Sequence, residues 1–289
     1  MYLLEHNDVA PFNELIVSWS AQRPSQGHFL IQVSLFVERW SPWFNYALWG
    51  AASQRTFETH SHDDSVSVFQ DTIQITNQKK ATGFKIRVLA KEGATLDDFR
   101  AFYPYTSHSH TLNTRTEDYS SVRLNVAGLS QLALPDERHK RICSPTSTTA
   151  VLRHLLLSPA LCPLDFANNV HDQTFDIYGN WVLNAAQANN ELMGKGGCRV
   201  VRLRDFGELH AKLIEGHPVV VSVKGTLPGS FLPYESGHLL VVQGYDSSTQ
   251  QVLCMDPAYP SDEETHVAYP LVDFLATWQR RQGLAYLFS

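Results

Sequence analysis

The hydrophobic period of this chain changes near Leu132, and that change limits the folds open to it. Before it, apolar and polar residues alternate in HFLIQVSLFVERW, SVSVF, DTIQIT and GFKIRVLAK. A period of two predicts strands with one buried face, and glycine-containing turns separate the runs. Residues 1–125 therefore predict an all-β sandwich domain, which we expect to fold alone and to serve recognition.

Helical and strand patterns both occur after Leu132. Helices are predicted from about Pro145 to Leu157, from Trp181 to Met193, and in DFGELHAKLIEG, which Gly216 ends. The stretches PVVVSV, HLLVVQGY, QVLCMD and GLAYLF predict strands that follow them. Helices followed by an antiparallel sheet are typical of the α+β class, so residues 126–289 predict a second domain of that class.

Composition excludes several classes of partner. The chain has 289 residues, 43% of them hydrophobic, with a formal net charge of -6 and no basic block. Nucleic acid is therefore not an expected partner. No apolar run reaches membrane-spanning length, so no membrane contact is expected. The opening MYLLEHNDVAP shows no secretory signal, which favours a cytoplasmic protein, or a secreted one if a leader has been removed.

Four cysteines are spread along the chain, at Cys143, Cys162, Cys198 and Cys254. No C-x-x-C pair occurs, so a structural zinc site is not expected. Four cysteines in 289 residues are also too few for a disulfide scaffold. We expect free thiols, at most one of them reactive, and no cofactor.

Cys143 stands in ICSPTS, directly ahead of the apolar run AVLRHLLL. Pro145 suits the first turn of a helix, where its missing N–H is no loss. If the helix begins at Ser144 or Pro145, its free N–H groups and dipole favour a thiolate at Cys143. The alternative is an inert thiol at a helix start, because cysteine is often buried. The other three cysteines keep that inert interpretation.

A nucleophilic thiolate needs a histidine, and His238 is the candidate among thirteen histidines. It opens the strand LLVVQGY, and the next strand, QVLCM, ends before Asp256. A turn at residues 246–248 would pair Tyr245 with Thr249. The same register sets His238 directly opposite Asp256 on one face of the sheet. A carboxylate there would fix the orientation of the imidazole.

The motifs SQ, CSPTS, GHLLVVQGY and DP, in this order, resemble the bacteriocin-processing type of papain-like cysteine peptidase. The resemblance is to the stand-alone bacterial relatives of that type, and it extends to GNWVLN, AYPSDEE and the closing LAYLF. It covers roughly residues 128–289. The β-rich front half resembles, more loosely, the accessory domain that precedes such peptidase domains.

The resemblance implies a papain-like fold and a set of site residues. Cys143 would be the nucleophile, His238 the general base and acid, and Asp256 the residue that orients His238. Gln131, twelve residues before Cys143, would donate to the oxyanion together with the backbone N–H of the nucleophile. No exporter segment accompanies this chain, so the double-glycine rule of the transporter members is not expected to carry over.

Three residues are candidate substrate contacts. Asn180 and Trp181 stand in GNW, where the tryptophan would form a wall of the cleft. Ordinary helix packing of Trp181 is an equal alternative. Gly237 directly precedes His238 and is expected to line the same site.

Trp40, Trp43 and Trp49 form an aromatic run in the β-rich half. Core packing is the favoured interpretation, since aromatic side chains dominate core burial. The alternative is a binding platform for a polymer, such as a glycan or an extended chain.

Two His-x-His patterns raise the question of a metal. One comprises His60 and His62, followed by Asp63 and Asp64, and the other comprises His108 and His110. On a strand such pairs share a face and can chelate a metal ion. Both lie in polar, turn-like stretches, so solvated loops are favoured and no metal site is expected.

Three classes of function remain open. The first is a cysteine peptidase acting on a peptide or protein substrate. The second is an acyl or amide transferase on the same papain-like fold, in which an amine replaces water as acceptor. The third is a binding protein with a silent site. The ordered set of Cys143, His238, Asp256 and Gln131 favours an enzyme over the silent binding protein, and it does not separate the peptidase from the transferase, because both use the same residues.

Overall fold

The computed structural model describes residues 1–62 and 65–289 and divides into two compact units. The first unit comprises Met1–Ser109 and Asn169–Gly194, and the second comprises His110–Asn168 and Lys195–Ser289. A segment of the predicted catalytic half therefore folds with the β-rich half. The expected division at residue 125 stays a prediction about which fragments fold alone, and the compact units do not follow it.

The strands in the described part of the chain are β1 (Tyr2–His6), β2 (Glu14–Ala21), β3 (His28–Val37), β4 (Arg39–Trp40), β5 (Phe44–Gly50), β6 (Gln54–His60), β7 (Val66–Gln70), β8 (Thr72–Ile75), β9 (Gly83–Lys91), β10 (Phe99–Ser107), β11 (Val122–Arg123), β12 (Cys198–Arg202), β13 (Val219–Gly225), β14 (Tyr234–Asp246), β15 (Gln251–Met255), β16 (His266–Pro270) and β17 (Leu284–Phe288). The α-helices are α1 (Cys143–Leu156), α2 (Pro163–Val170), α3 (Trp181–Leu192), α4 (Phe206–Ile214) and α5 (Leu271–Gln279). This confirms the predicted class, a β-rich domain followed by a domain of mixed helix and strand.

The first unit is a folded-over sheet with strand order β1-β9-β3-β5-β6-β7-β8-β2-β10, and β4 lies beside β3. Trp19 on β2 and Trp49 on β5 meet edge to face, with ring centroids 6.2 Å apart. The backbone N–H of Val17 on β2 donates to the Tyr46 hydroxyl on β5 at 3.2 Å. The two halves of the sheet thus enclose a common core. Strand β3 contributes the inward residues that its period of two predicts, namely Phe29, Ile31, Val33, Leu35 and Val37.

A half-buried arginine, Arg23, ties the 169–194 segment into the first unit. The Arg23 guanidinium donates to the Asn169 carbonyl at 2.7 Å and to Gln187 Oε1 at 3.1 Å. It also lies 3.7 Å from the ring centroid of Trp49. Burial lowers the pKa of Arg23 to about 10, with Glu191 opposing the shift, so the group stays charged at neutral pH. Its charge is therefore held by partners from this segment.

Strand β2 explains why the first unit needs a helix. Every residue of β2 is buried, so both faces of the strand are covered. The sandwich core covers one face, and α3 packs on the same strand. Asn189 of α3 donates to the Trp19 carbonyl at 2.9 Å. A strand buried on both faces exposes apolar surface when its helix is removed.

The three tryptophans of the aromatic run divide between core and surface. Trp49 is fully buried, as the core interpretation predicts. Trp40 and Trp43 are half-buried and each carries a cation over its ring. The Lys85 ammonium lies 4.1 Å from the Trp40 centroid, and the Arg87 guanidinium lies 4.1 Å from that of Trp43.

The second unit contains a sheet of order β12-β17-β13-β14-β15-β16, with β11 beside β14. Its strand pairs are antiparallel. Helix α1 packs on β13 and β14. Ser147 Oγ donates to the Leu239 carbonyl of β14 at 3.0 Å, and the Ser144 and Tyr286 hydroxyls are 3.0 Å apart. These bonds fix the N-terminus of α1 beside β14.

The predicted register of the β14–β15 hairpin is wrong. Asp246 pairs with Gln251, so the loop comprises residues 247–250 and not 246–248. The register shifts again between Val242 and Gly244. His238 and Asp256 are therefore not cross-strand partners, and their contact arises in another way.

Among the described residues, no helix combines the length and the apolar character needed to cross a membrane.

Candidate active site

Cys143 is the first residue of α1 and is half-buried. Ile142 precedes it without a side-chain capping bond, and Pro145 follows in the first turn. Burial raises the pKa of the Cys143 thiol, and the backbone N–H groups of Leu239 and Ser144 are among the groups that lower it. The N–H groups of a first helical turn have no intrahelical acceptor, so this position favours negative charge on sulfur.

His238 lies on β14 opposite Val223 of β13, and it is buried. Its Nε2 is 2.8 Å from Oδ1 of Asp256, the residue after the end of β15. The Cys143 thiol and the His238 imidazole also act on each other's pKa. Because Nε2 bonds the carboxylate, Nδ1 is the ring nitrogen left for the thiol. The structure thus joins His238 and Asp256 by a hydrogen bond, and electrostatic interaction couples Cys143 to the same imidazole.

Asp256 is fully buried, and both of its oxygens accept hydrogen bonds. Oδ1 accepts from His238 Nε2 at 2.8 Å and from the Ala258 backbone N–H at 3.0 Å. Oδ2 accepts from the hydroxyls of Tyr234 at 2.7 Å and Tyr269 at 2.8 Å. Burial raises the pKa of this carboxyl, but the His238 charge and these bonds outweigh burial and leave the pKa below its usual value.

The Cys143 thiol and the His238 imidazole shift each other's pKa in opposite directions. Burial raises the pKa of Cys143, but the hydrogen bond and charge of His238 outweigh it, so that pKa lies below its usual value. Burial lowers the pKa of His238, while the charge and hydrogen bond of Asp256, with Cys143, raise it to about 10. A thiolate beside an imidazolium is the form that these shifts favour at neutral pH.

Gln131 is buried, and its hydrogen bonds connect it to the chain near Asp256 and near Cys143. Its backbone N–H donates to the Pro257 carbonyl at 2.9 Å, one residue after Asp256. Its Nε2 donates to the His139 carbonyl at 2.7 Å, four residues before Cys143. An amide nitrogen carries two hydrogens, so one N–H remains for another acceptor.

Two of the other cysteines, Cys198 and Cys254, differ electrostatically from Cys143. Cys198 and Cys254 are buried, and burial raises the pKa of both thiols. The Asp256 charge raises the pKa of Cys254 further. Cys162 is half-buried and free. A raised pKa leaves little thiolate, so the prediction that Cys143 is the reactive thiol has physical support.

Residues 123–286 match the Peptidase_C39 like family, and this span is more than half of the 289 residues. The chain belongs to the Peptidase_C39 like family. Residues 4–96 match the Peptidase C39 N-terminal domain. Membership of this C39-like family implies a cysteine peptidase fold, and it confirms the predicted resemblance at the level of the family.

A crystal structure of a candidate C39-like peptidase from Bacillus anthracis is similar to this C39-like chain. The two are 19% identical with a TM-score of 0.44, and the alignment covers 59% of this chain and 98% of that chain. No curated protein matches the chain.

Asn180 has a structural role in this C39-like protein that the sequence did not predict. It is fully buried in the first unit, and its Oδ1 accepts the Leu183 N–H at the start of α3 at 3.2 Å. Its Nδ2 donates to Thr56 Oγ1 and to Asp172 Oδ2, both at 3.0 Å. The geometry does not support the predicted substrate contact of Asn180, because its polar atoms are already used.

The structure shows a role for the backbone of Trp181 and of Gly237. The Trp181 backbone N–H donates to Asp71 Oδ2 at 3.0 Å in the first unit, and the side chain is half-buried. Gly237 lies beside His238 with φ 100°, a left-handed conformation that favours glycine. The substrate contacts of Trp181 and Gly237 stay predictions.

Tyr234 and Tyr269 are the site residues that sequence reasoning missed. Each donates its hydroxyl to the orienting carboxylate. Burial raises the pKa of both hydroxyls, and the Asp256 charge raises it further, so both remain donors. An aromatic residue four positions before His238, with Gly237 between them, was the one local signal.

The histidine patterns are distributed over exposed positions. His60 ends β6, and His62 and His108 are exposed. His110 is half-buried, and its Nε2 is 2.9 Å from the Leu203 carbonyl. Asp63 and Asp64 lie outside the described residues. Among residues 1–62 and 65–289, no group of three or more His, Cys, Asp or Glu side chains is placed to hold a metal ion.

Proposed function

We propose that this C39-like protein is a cysteine peptidase that hydrolyses peptide bonds through Cys143, His238 and Asp256, with Gln131 as oxyanion donor. The observation that carries the proposal is the buried bond of 2.8 Å between His238 Nε2 and Asp256 Oδ1, and the Cys143 thiol raises the pKa of the same imidazole. The substrate is a peptide or a protein, as for other peptidases.

Acylation begins from the thiolate. The Cys143 sulfur attacks the carbonyl carbon of the scissile bond, and a carbon–sulfur bond forms. The oxyanion accepts from the remaining amide N–H of Gln131 and from the backbone N–H of Cys143, which begins the helix. The His238 imidazolium gives its proton to the leaving nitrogen as the carbon–nitrogen bond breaks, and a thioester remains.

Deacylation reverses the proton transfer. Neutral His238 takes a proton from water, whose oxygen attacks the thioester carbon. The carbon–sulfur bond breaks, the acid product leaves, and the thiolate–imidazolium pair is restored. Asp256 stays ionised throughout and stabilises the imidazolium. If an amine replaces water in this step, the same residues give a transferase.

A peptide library analysed by mass spectrometry tests the proposal. The wild type is expected to cleave at least one peptide class, Cys143→Ala none, and Cys162→Ala the same peptides as the wild type. A library with a double-glycine peptide and added amines also tests the bacteriocin-processing specificity and the transferase alternative. Cleavage that survives Cys143→Ala would refute the proposed nucleophile.

Thiol labelling tests the nucleophile without any substrate. Iodoacetamide at mildly acidic pH is expected to modify Cys143 well before the other three cysteines, since the thiolate is the reactive form. The label is located by peptide mapping. Equal modification of Cys143 and Cys162 would contradict the assignment.

We infer that the β-rich unit recruits a polymer substrate, because Trp40 and Trp43 lie half-buried at its surface with a cation over each ring. A glycan or an extended chain would contact such rings. Trp43→Ala is expected to raise KM for a large substrate and to leave a short peptide unaffected. Pull-down on insoluble peptidoglycan and cellulose tests the glycan version, with Phe69→Ala, at an exposed aromatic residue of the same unit, as control. Equal retention of wild type and Trp43→Ala would exclude it.

A further inference from the structure

Tyr234 contacts His238 and Asp256 with two parts of one side chain. Its ring is stacked on the imidazole, with centroids 4.1 Å apart and planes inclined by 17°. Its hydroxyl donates to Asp256 Oδ2 at 2.7 Å. The residue is buried, with 4% of its surface exposed. One side chain thus holds the plane of the imidazole and the orientation of its carboxylate.

A regular strand would not bring these two rings together, because residues four positions apart in a strand are separated by about 13 Å. Strand β14 pairs Tyr234 with Gly225 and His238 with Val223. Residues 235–237 of β14 therefore lie opposite a single residue of β13 and bulge out of the ladder. Gly237, at φ 100°, provides the turn that brings Tyr234 back over His238.

Tyr269 provides a natural comparison with Tyr234. It lies on β16, and its hydroxyl donates to the same Asp256 Oδ2 at 2.8 Å. Within the described part of the chain, Tyr234 adds a ring stacked on His238 and Tyr269 does not. Replacing either tyrosine by phenylalanine removes one equivalent hydroxyl, and only the removal of the Tyr234 ring removes the stack.

The charge of His238 is set by groups from several elements. Cys143 contacts it from α1 and Asp256 from the end of β15. The Arg281 guanidinium, after α5, lies 3.5 Å from the position of a Cβ on Gly237, and its Nε donates to Ser222 Oγ at 3.0 Å. A cation on the face of a tyrosine ring is stabilised, so the stack favours the imidazolium over the neutral imidazole.

We propose that Tyr234 is the positioning residue of the His238–Asp256 pair, with its ring fixing and stabilising the imidazolium and its hydroxyl fixing the carboxylate. This inference rests on the proposed peptidase function. It adds a residue that does not touch the reacting atoms and that acts through His238. Its removal is therefore expected to change the pH dependence of Cys143 as well as the rate of turnover.

The test is the rate of Cys143 alkylation by iodoacetamide as a function of pH, in the wild type, Tyr234→Leu, Tyr234→Phe and Tyr269→Phe. The alkaline limb of this profile reports the loss of the His238 proton. Without the ring the imidazolium is less stable, so in Tyr234→Leu the limb moves to lower pH by about half a unit. In both phenylalanine variants the limb stays in place. With a cleavable peptide, kcat of Tyr234→Leu is expected to fall about tenfold below that of Tyr234→Phe.

An unmoved alkaline limb in Tyr234→Leu overturns the inference. Equal shifts in Tyr234→Phe and Tyr269→Phe also overturn it, because they would assign the effect to the shared Oδ2 bonds. If Tyr234→Leu does not fold, NMR of the His238 ring protons decides. Their upfield shift by a stacked ring must appear in the wild type and persist in Tyr234→Phe, and its absence refutes the stack. A wild type in which Cys143 alkylates no faster than Cys162 refutes the proposed function itself, independently of the tyrosine variants.

Discussion

Two fully buried aspartates, Asp172 in the first unit and Asp256 in the second, have different neighbours. Asp172 Oδ2 accepts from the Thr56 hydroxyl, from the Thr56 backbone N–H at 3.2 Å and from Asn180 Nδ2 at 3.0 Å. Asp256 accepts from an imidazole and two phenols. Both carboxylates satisfy the requirement that a buried charge be hydrogen-bonded.

The difference lies in whether the donors can lose a proton. Thr56 and Asn180 do not titrate, so the Asp172 network holds chain segments together and does no more. His238 titrates, and its pKa is raised to about 10 by Asp256 and Cys143 against the effect of burial. The Asp256 network therefore contains a group that can gain or lose a proton, as the proposed mechanism requires. A buried carboxylate by itself indicates only a well-ordered hydrogen-bond network. The nature of its donors indicates whether that network is a candidate for catalysis.

The largest effect is expected from cutting the chain at the predicted domain boundary. The fragment 1–125 lacks the 169–194 segment, so Arg23 loses Asn169 and Gln187 while one face of β2 is exposed. We expect it to aggregate or to lack a cooperative urea transition. Co-expression with 126–289 should restore a soluble complex. A soluble, cooperatively unfolding fragment 1–125 would instead support the sequence-based division.

His238→Ala removes the group that titrates. Turnover is expected to fall by about 10⁴-fold with the fold retained, since general acid and base steps both pass through this ring. Peptide hydrolysis and circular dichroism are measured together. Full activity of His238→Ala would show that the second network is structural, like the first. Asp256→Asn should do less damage, because an amide can still orient the ring.

Gln131→Ala removes the proposed oxyanion donor. Because such a donor acts in the transition state, kcat is expected to fall by about 10²–10³ with little change in KM. Iodoacetamide labelling of Cys143 at mildly acidic pH serves as the control and should be unaffected. A change confined to KM would make Gln131 a substrate contact.

Asp172→Ala should break only the structural network. It leaves the donors of Thr56 and Asn180 unsatisfied, at a cost of about 2–4 kcal/mol in the free energy of unfolding, measured by urea titration. Asp176→Ala is the matched control, since the His171–Asp176 pair is exposed and such pairs contribute little. Cys143 alkylation should stay at the wild-type rate in both. Slower alkylation in Asp172→Ala would show that the Asp172 network and the Asp256 network are energetically coupled.

The smallest effect in this series is expected from pH alone, which changes the charge of the Cys143–His238–Asp256 network without any substitution. Activity rises with pH as Cys143 loses its proton, at a pKa below the usual thiol value. It falls as His238 loses its proton near pH 10, about tenfold per unit beyond that limb. The raised His238 pKa stabilises the fold fully below about pH 6.5, and this contribution is lost as pH rises through about 10. An alkaline limb near pH 6.5 would contradict the ion pair.

The local sequence pattern determined many of the secondary-structure elements of this protein. A period of two predicts strands wherever one face is buried, and this predicted the β-rich half. Helix start signals predicted Cys143 at the cap of a helix beginning at Ser144 or Pro145, and the structure begins α1 one or two residues earlier, at Cys143 itself. The apolar run before QGY predicted the strand that carries His238. The order of the motifs indicated the family. Each of these features depends on residues close together in the chain, which is why the sequence alone carries them.

Only the tertiary structure decided how the distant parts meet. The predicted hairpin register, which set His238 opposite Asp256, is wrong. The two side chains nevertheless meet, and Asp256 lies just after the end of β15. The bulge at Gly237 sets Tyr234 over His238, against the spacing of a regular strand. The assignment of residues 169–194 to the first unit depends on long-range contacts, such as the packing of α3 on β2 and the bond of Arg23 to the Asn169 carbonyl. Register, bulges and long-range burial depend on side-chain packing between elements, which a local period does not encode.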